Sequence, residues 1–186
     1  LDQPEREFAD TIVGEAKRLE DLVHSLLAFA RMPDPRKEKT DIVALVRQVL
    51  ENLHLEWEKS RIQVTCQAAA EPLIVDLDPN QIRQVLWNLF LNARDAMPDG
   101  GSLHVSVEAI AGRDVVGVSI QDSGPGFTPE ALQNLFEPFF TTKAQGNGLG
   151  LAISRQIVQR HQGTICLENA PSGGARCIVN LPFHGS

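Results

Sequence analysis

The chain has 186 residues, 42% of them hydrophobic, which is enough for one well-buried core with an appended helical element. Its 17 basic and 24 acidic side chains leave a formal charge of -7, so it offers no electrostatic footprint for a nucleic-acid backbone or an anionic membrane surface. No apolar run approaches the ~18 residues of a transmembrane helix and no basic-then-apolar leader opens the chain, so the segment is expected to be cytoplasmic and free of membrane contact.

From Ala9 onward, Ile12, Ala16, Leu19, Val23, Leu26 and Ala30 recur at steps of three and four. This is a heptad seam, widened by Leu22, Leu27 and Phe29, and it predicts a long helix that needs partner helices. Met32-Pro33-Asp34-Pro35 stops it, because two prolines forbid helical continuation. We therefore expect a helical unit over 1–33, a linker over 34–39 and a layered domain over 40–184. Thr40 is the expected cap of an amphipathic helix with Ile42, Leu45, Val46, Val49, Leu50 and Leu53 on one face.

Beyond it, 61–67, 73–78, 103–110, 115–121, 164–168 and 176–182 read as strands. Asp99-Gly100-Gly101 and Ser172-Gly173-Gly174 supply tight turns, and Asp78-Pro79-Asn80 starts a helix. Strands joined partly by hairpins and partly by helices predict an α+β fold, a mixed sheet with helices on one face. Cys66, Cys166 and Cys177 are odd in number, widely spaced and set among apolar or β-branched residues. That pattern excludes a disulfide framework or a zinc spacing and predicts buried, reduced thiols.

The helix from Gln81 to about Met97 is apolar almost all round, yet Asn88, Asn92 and Asp95 stack on one narrow face at i, i+4 and i+7. Such a stripe either faces solvent or lines a pocket, where oxygen ligands can hold a hard cation beside phosphates. A strand then runs into Asp122-Ser123-Gly124-Pro125-Gly126-Phe127. This is an ordinary turn, or a carboxylate placed to accept the exocyclic amine of a base. Leu135 to Lys143 is hydrophobic, broken by proline and ends in Thr141-Thr142-Lys143, which reads as a hinged lid whose lysine is a solubilising charge or a phosphate contact. Gly146-Asn147-Gly148-Leu149-Gly150 precedes a helix, which is either a flexible cap or a place where free amides and the helix dipole receive an anion.

In this order the segments resemble the histidine kinase branch of the gyrase, heat-shock chaperone, histidine kinase and mismatch-repair ATPase superfamily. Asn88 to Ala96 is similar to its N box, Asp122 to Phe127 to the first glycine box, Phe136 to Phe140 to the F box, and Gly146 to Gly150 to the second glycine box. Glu15 to Leu19 and Leu26 to Arg31 look like the second helix of a dimerisation and phosphotransfer hairpin, and the lid looks like that of the nitrogen-regulation subgroup. The resemblance implies a two-layer α/β sandwich, the Bergerat ATP-binding fold, following a helix of a dimerisation bundle. It also implies a sensor histidine kinase that uses Mg²⁺ and ATP, passes phosphate from a histidine to a response regulator, and is a homodimer at full length, with a parent protein compatible with an inner-membrane sensor.

Carried over by position, Asp122 would bind the adenine amine, with Gly124, Gly126 and Phe127 shaping that wall, and Asn92 would hold Mg²⁺. Gly146, Gly148, Leu149 and Gly150 would sit at the phosphates, with Thr141, Thr142, Lys143 and Asp95 around them. Asn88, Asn92 and Lys143 are the residues expected to act in the transfer. Asn88 stands where hydrolysing relatives keep a glutamate base, and an amide cannot take a proton usefully near neutral pH, which favours phosphotransfer over hydrolysis. Asp95 stands where many histidine kinases have a lysine. No His-Glu or His-Asp pair occurs, so the acceptor histidine is expected on a hairpin helix outside this sequence. The alternative is an ATP-gated conformational module like the chaperone and mismatch-repair relatives.

Overall fold

Asp41 rather than Thr40 caps the first helix of the layered domain, accepting the Val43 N–H at 3.0 Å. Thr40 belongs instead to a short strand, β1 (Glu38–Asp41), where it opposes Val75 of β3 (Ile74–Leu77) in an antiparallel pair. In this computed structural model the described residues are 12–14, 16, 20, 23, 26, 27, 32–69, 72–143 and 146–183. The described residues between 12 and 27 are helical, with Ile12, Val13, Val23, Leu26 and Leu27 exposed, as a seam without its partners must be. The rest of that expected helix lies outside the described residues.

Helix α1 (Ile42–Asn52) buries Ile42, Val43, Leu45, Val46, Val49 and Leu50. A short α2 (His54–Lys59), absent from the sequence reading, adds Trp57, whose Nε1 donates to Leu50 O at 3.1 Å and whose ring meets Phe90 edge-on. Helix α3 (Pro79–Asp95) starts at the expected Asp-Pro, with Asp78 accepting the N–H groups of Asn80 and Gln81. Helix α4 (Pro129–Asn134) is another short element, capped by Thr128, and α5 (Gly150–Arg160) follows the glycine-rich turn.

The main sheet runs β2-β4-β5-β7-β6, built from β2 (Ile62–Ala68), β4 (Gly101–Ala109), β5 (Val115–Asp122), β6 (Thr164–Asn169) and β7 (Ala175–Pro182). β2 is parallel to β4 and the other pairs are antiparallel, the mixed sheet expected. Alternate residues of the central strands, such as Leu103, Val105 and Val107 or Cys177, Val179 and Leu181, share one core with α1, α3 and α5. The fold is thus the predicted two-layer sandwich.

Two of the three thiols correct the sequence reading. Cys177 is buried, but Cys66 and Cys166 are exposed. Cys166, paired with Ile178, points to the face of β6 opposite that of Ile165 and Leu167, which pack on the core. Cys66 shares the core face with its partner Val105 but lies on the edge strand β2. Strand alternation tells which face a residue takes, not whether its strand is an edge. The segment ahead of β1 is fastened to the far ends of the helices that build the site. Gln81 Nε2 donates to Pro33 O at 3.1 Å, Arg36 N–H to Asp78 Oδ2 at 2.9 Å, and Arg160 pairs with Asp34 at 2.9 Å. Asp78 N–H is accepted at 3.0 Å by Nε2 of the buried His161, whose Nδ1 meets Ile157 O.

Candidate functional site

The C-terminal half of α3, the C-terminal end of β5, the lid segment and the N-terminus of α5 enclose a cavity of about 530 Å³. That volume suits a nucleotide-sized ligand. Leu89, Ala93, Ile120, Leu167 and Cys177 give it an apolar side, and burial pushes the Cys177 thiol well up, so that side chain is an uncharged wall.

At the deep end stands Asp122, 7% exposed, the last residue of β5. Its Oδ1 accepts Gly124 N–H at 2.9 Å and Ala175 N–H at 3.1 Å. Both bonds fall on Oδ1, so Oδ2 can accept from a ligand. Gly126 and Phe127 line the cavity, and Asn169 clamps the Phe127 backbone by accepting its N–H at 2.7 Å and donating to its carbonyl at 2.8 Å.

Asn88 and Asn92 face the cavity with Asp95, as their spacing on one helix face requires. Asn88 donates to Ser154 Oγ at 3.0 Å, and that hydroxyl donates to Gly150 O at 2.9 Å, so the polar face of α3 is bolted to the first turn of α5. The contact is close enough that a Cβ on Gly150 would lie 2.3 Å from Asn88 Oδ1. At the rim, Lys143 Nζ donates to Asn92 Oδ1 at 2.7 Å and to Asp95 Oδ2 at 2.8 Å. Partial burial pushes the Asp95 carboxyl up, but the bonds from Lys143 and Arg94 outweigh it and hold the group below the ordinary carboxylate range.

The lid crosses from α4 to α5. Arg155 of α5 lies over the Phe136 ring at 5.3 Å, and Phe140, Thr141, Thr142, Lys143, Gly146, Gly148 and Gly150 line the cavity. Two expected residues do not line it. Leu149 is fully buried in the core, and Gly124 serves Asp122 from behind through its N–H. Sequence reasoning missed Ser154, Asn169 and Ala175, which act on the site through bonds to partners 66, 42 and 53 residues away. A polar residue inside an apolar helix, as at Ser154, was the available signal; a backbone N–H such as that of Ala175 carries none.

The residues fit a metal-bound polyphosphate. The amides at the start of an 11-residue helix are an anion site, and Asn92 Oδ1 already receives a cation, the Lys143 ammonium. No group of three or more His, Cys, Asp or Glu side chains that could hold a metal occurs among the described residues, so a hard cation here would complete its shell with phosphate and water oxygens.

The profile of a family described as histidine kinase-, DNA gyrase B-, and HSP90-like ATPase matches residues 77–185. Sensor histidine kinase ZraS of Klebsiella oxytoca is 37% identical over 179 residues, 96% of this chain and 38% of that protein. The chain thus spans well under half the length of the curated relatives it matches. Among solved structures, the catalytic domain of histidine kinase ThkA superposes with a TM-score of 0.74 at 34% identity, over 80% of this chain and 96% of that one. ThkA in complex with the response regulator protein TrrA gives a TM-score of 0.83 at 31% identity, over 99% of this chain and 53% of that one.

Proposed function

The chain belongs to the histidine kinase-, DNA gyrase B-, and HSP90-like ATPase family, and we propose that it binds Mg²⁺-ATP in the cavity and presents the γ-phosphoryl to a histidine on a dimerisation helix. The observation that carries this reading is the convergence of four separate segments on one cavity, with an acceptor at one end and helix amides at the other. Asp122 Oδ2 takes the adenine amine, while the Gly124 and Ala175 amides fix the carboxylate's orientation. Leu89, Ile120, Leu167 and Cys177 exclude water from the base. The first turn of α5 receives the phosphates, and the Asn88–Ser154 bond keeps that turn in place relative to α3.

Asn92 holds Mg²⁺ through Oδ1, and Lys143 neutralises charge at the terminal phosphate. The bound metal ion supplies charge neutralisation of the transferring group, which in phosphoryl transfer is most of what a protein provides beyond positioning. Asp95, the carboxylate that α3 presents here, is bound by Lys143 and Arg94, and Asn88 is an amide committed to Ser154, which supports transfer to an acceptor over activation of water. We place the dimerisation element at residues 1–33, the linker at 34–39 and the catalytic domain at 40–184. A response regulator as the next acceptor is supported by the complex of ThkA with TrrA, and homodimerisation by the exposed apolar seam. Among the described residues no helix is long and apolar enough to cross a membrane.

Titration calorimetry of Asp122→Ala with ATP tests the pocket directly. Removing this buried acceptor is expected to lower affinity at least a hundredfold, in line with a site that loses a designed polar partner. Unchanged affinity rules out the adenine assignment.

A further inference from the structure

An aspartate is an unfavourable last residue for a helix, because the carbonyl end of the helix dipole repels its charge. Asp95 nevertheless ends α3, and its two carboxylate oxygens are divided between two cations. Oδ1 accepts Arg94 Nε at 3.1 Å and Nη2 at 2.8 Å, and Oδ2 accepts Lys143 Nζ at 2.8 Å. Arg94 is itself held from the other side, donating Nη1 to Glu56 Oε2 at 3.0 Å, and Glu56 also pairs with Lys59. A row of alternating charges therefore runs from the helix layer to the lid and ends on Lys143.

An ammonium has three donors. Lys143 spends one on Asp95 and one on Asn92 Oδ1, the same oxygen that faces the cavity. Lysine alone is a flexible point charge whose ordering costs side-chain entropy. Asp95 removes that freedom in advance, and it would itself repel a polyphosphate if Lys143 did not neutralise it.

We propose that Asp95 is the positioning residue for Lys143, holding the lid's ammonium at the rim so that, once Mg²⁺ takes the Asn92 oxygen, the donors not bound to Asp95 meet the terminal phosphate of a nucleoside triphosphate. This rests on the nucleotide-binding reading above. Arg94 and Glu56 orient Asp95, and the selectivity of the site for a triphosphate over a diphosphate comes from the lid cation rather than from α3.

The test is calorimetry of the whole chain with ATP and with ADP, both with Mg²⁺, for wild type, Asp95→Asn, Lys143→Met and the double variant. Asp95→Asn is expected to weaken ATP about tenfold, the size of one charge-assisted hydrogen bond, while ADP stays within about twofold. Lys143→Met should weaken ATP at least as much, and the double variant should be no weaker than Lys143→Met, since nothing is then left to position. In the nucleotide-free protein, trypsin should cut after Lys143 faster in Asp95→Asn. Additive losses, equal losses for ATP and ADP, or tighter ATP binding by Asp95→Asn would each overturn the proposal; the last would mean that Asp95 withholds the lysine. If wild type binds neither nucleotide, the site reading itself fails, an outcome distinct from a wild type that binds both and an Asp95→Asn variant that matches it.

Discussion

Phe139 donates its backbone N–H to the carbonyl of Gly148 at 3.0 Å, and a Cβ on Gly148 would lie only 2.3 Å from the Phe139 carbonyl carbon. Gly148 also has φ +67, a conformation an L side chain adopts only with strain. The lid and the turn before α5 are therefore locked together by a residue that can only be glycine. Gly148→Ala is expected to push the lid off that turn, costing about 1–3 kcal/mol of local strain and weakening ATP by more than tenfold. Calorimetry with a parallel thermal melt checks this: the melt should shift by only a few degrees, and unchanged ATP affinity would show that lid register does not matter.

Asn92 offers its Oδ1 to the cavity, where Lys143 now sits on it. If that oxygen holds the metal, Asn92→Ala should reduce ATP affinity measured with Mg²⁺ by about tenfold and leave affinity measured in chelator nearly unchanged. Equal losses under both conditions would take the metal role away from Asn92.

His161 is 2% exposed, and its Nε2 accepts the Asp78 N–H. Burial lowers its pKa, with Lys37 acting in the same direction and the Ile157 carbonyl and the Asp78 carboxylate pulling the other way. A folded-state pKa below the unfolded value means that the unfolded chain binds more protons in between. The stabilisation is thus fully present above about pH 6.5 and is lost as pH falls through the folded value, with a slope of at most about 1.4 kcal/mol per pH unit. Denaturant unfolding between pH 7.5 and 5.0 should show this decline, and His161→Gln should flatten it. An equal slope in the variant would assign the decline to other groups.

Much of this architecture is legible locally. Strand alternation from Val115 to Asp122, the Asp78-Pro79 helix start and the polar stripe on α3 are patterns within one element, and the structure follows them. What escaped depends on distant partners. Thr40 looks like a helix cap until Val75, 35 residues on, pairs with it in β1 and leaves the cap to Asp41. Cys66 looks like a core thiol until the strand order makes β2 an edge, and Cys166 until the pairing of β6 with β7 sets it beside Ile178 on the face away from the core. The six-residue helices α2 and α4 are too short to display a hydrophobic period. In the site, Asp122 and Asn92 announce themselves by residue type and setting. The Lys143–Asp95 pair spans 48 residues and becomes visible only when the lid is folded over α3.

The central claim is phosphoryl transfer to histidine, and the most direct measurement is incubation of the chain with γ-labelled Mg²⁺-ATP, alone and with a dimerisation-hairpin helix bearing its histidine supplied separately. We expect label on the added helix only, lost in acid and stable in base as a phosphohistidine is, and abolished by Asp122→Ala. Steady phosphate release into water by the chain alone, with no labelled histidine under any condition, would contradict the account and identify an ATP-gated module instead.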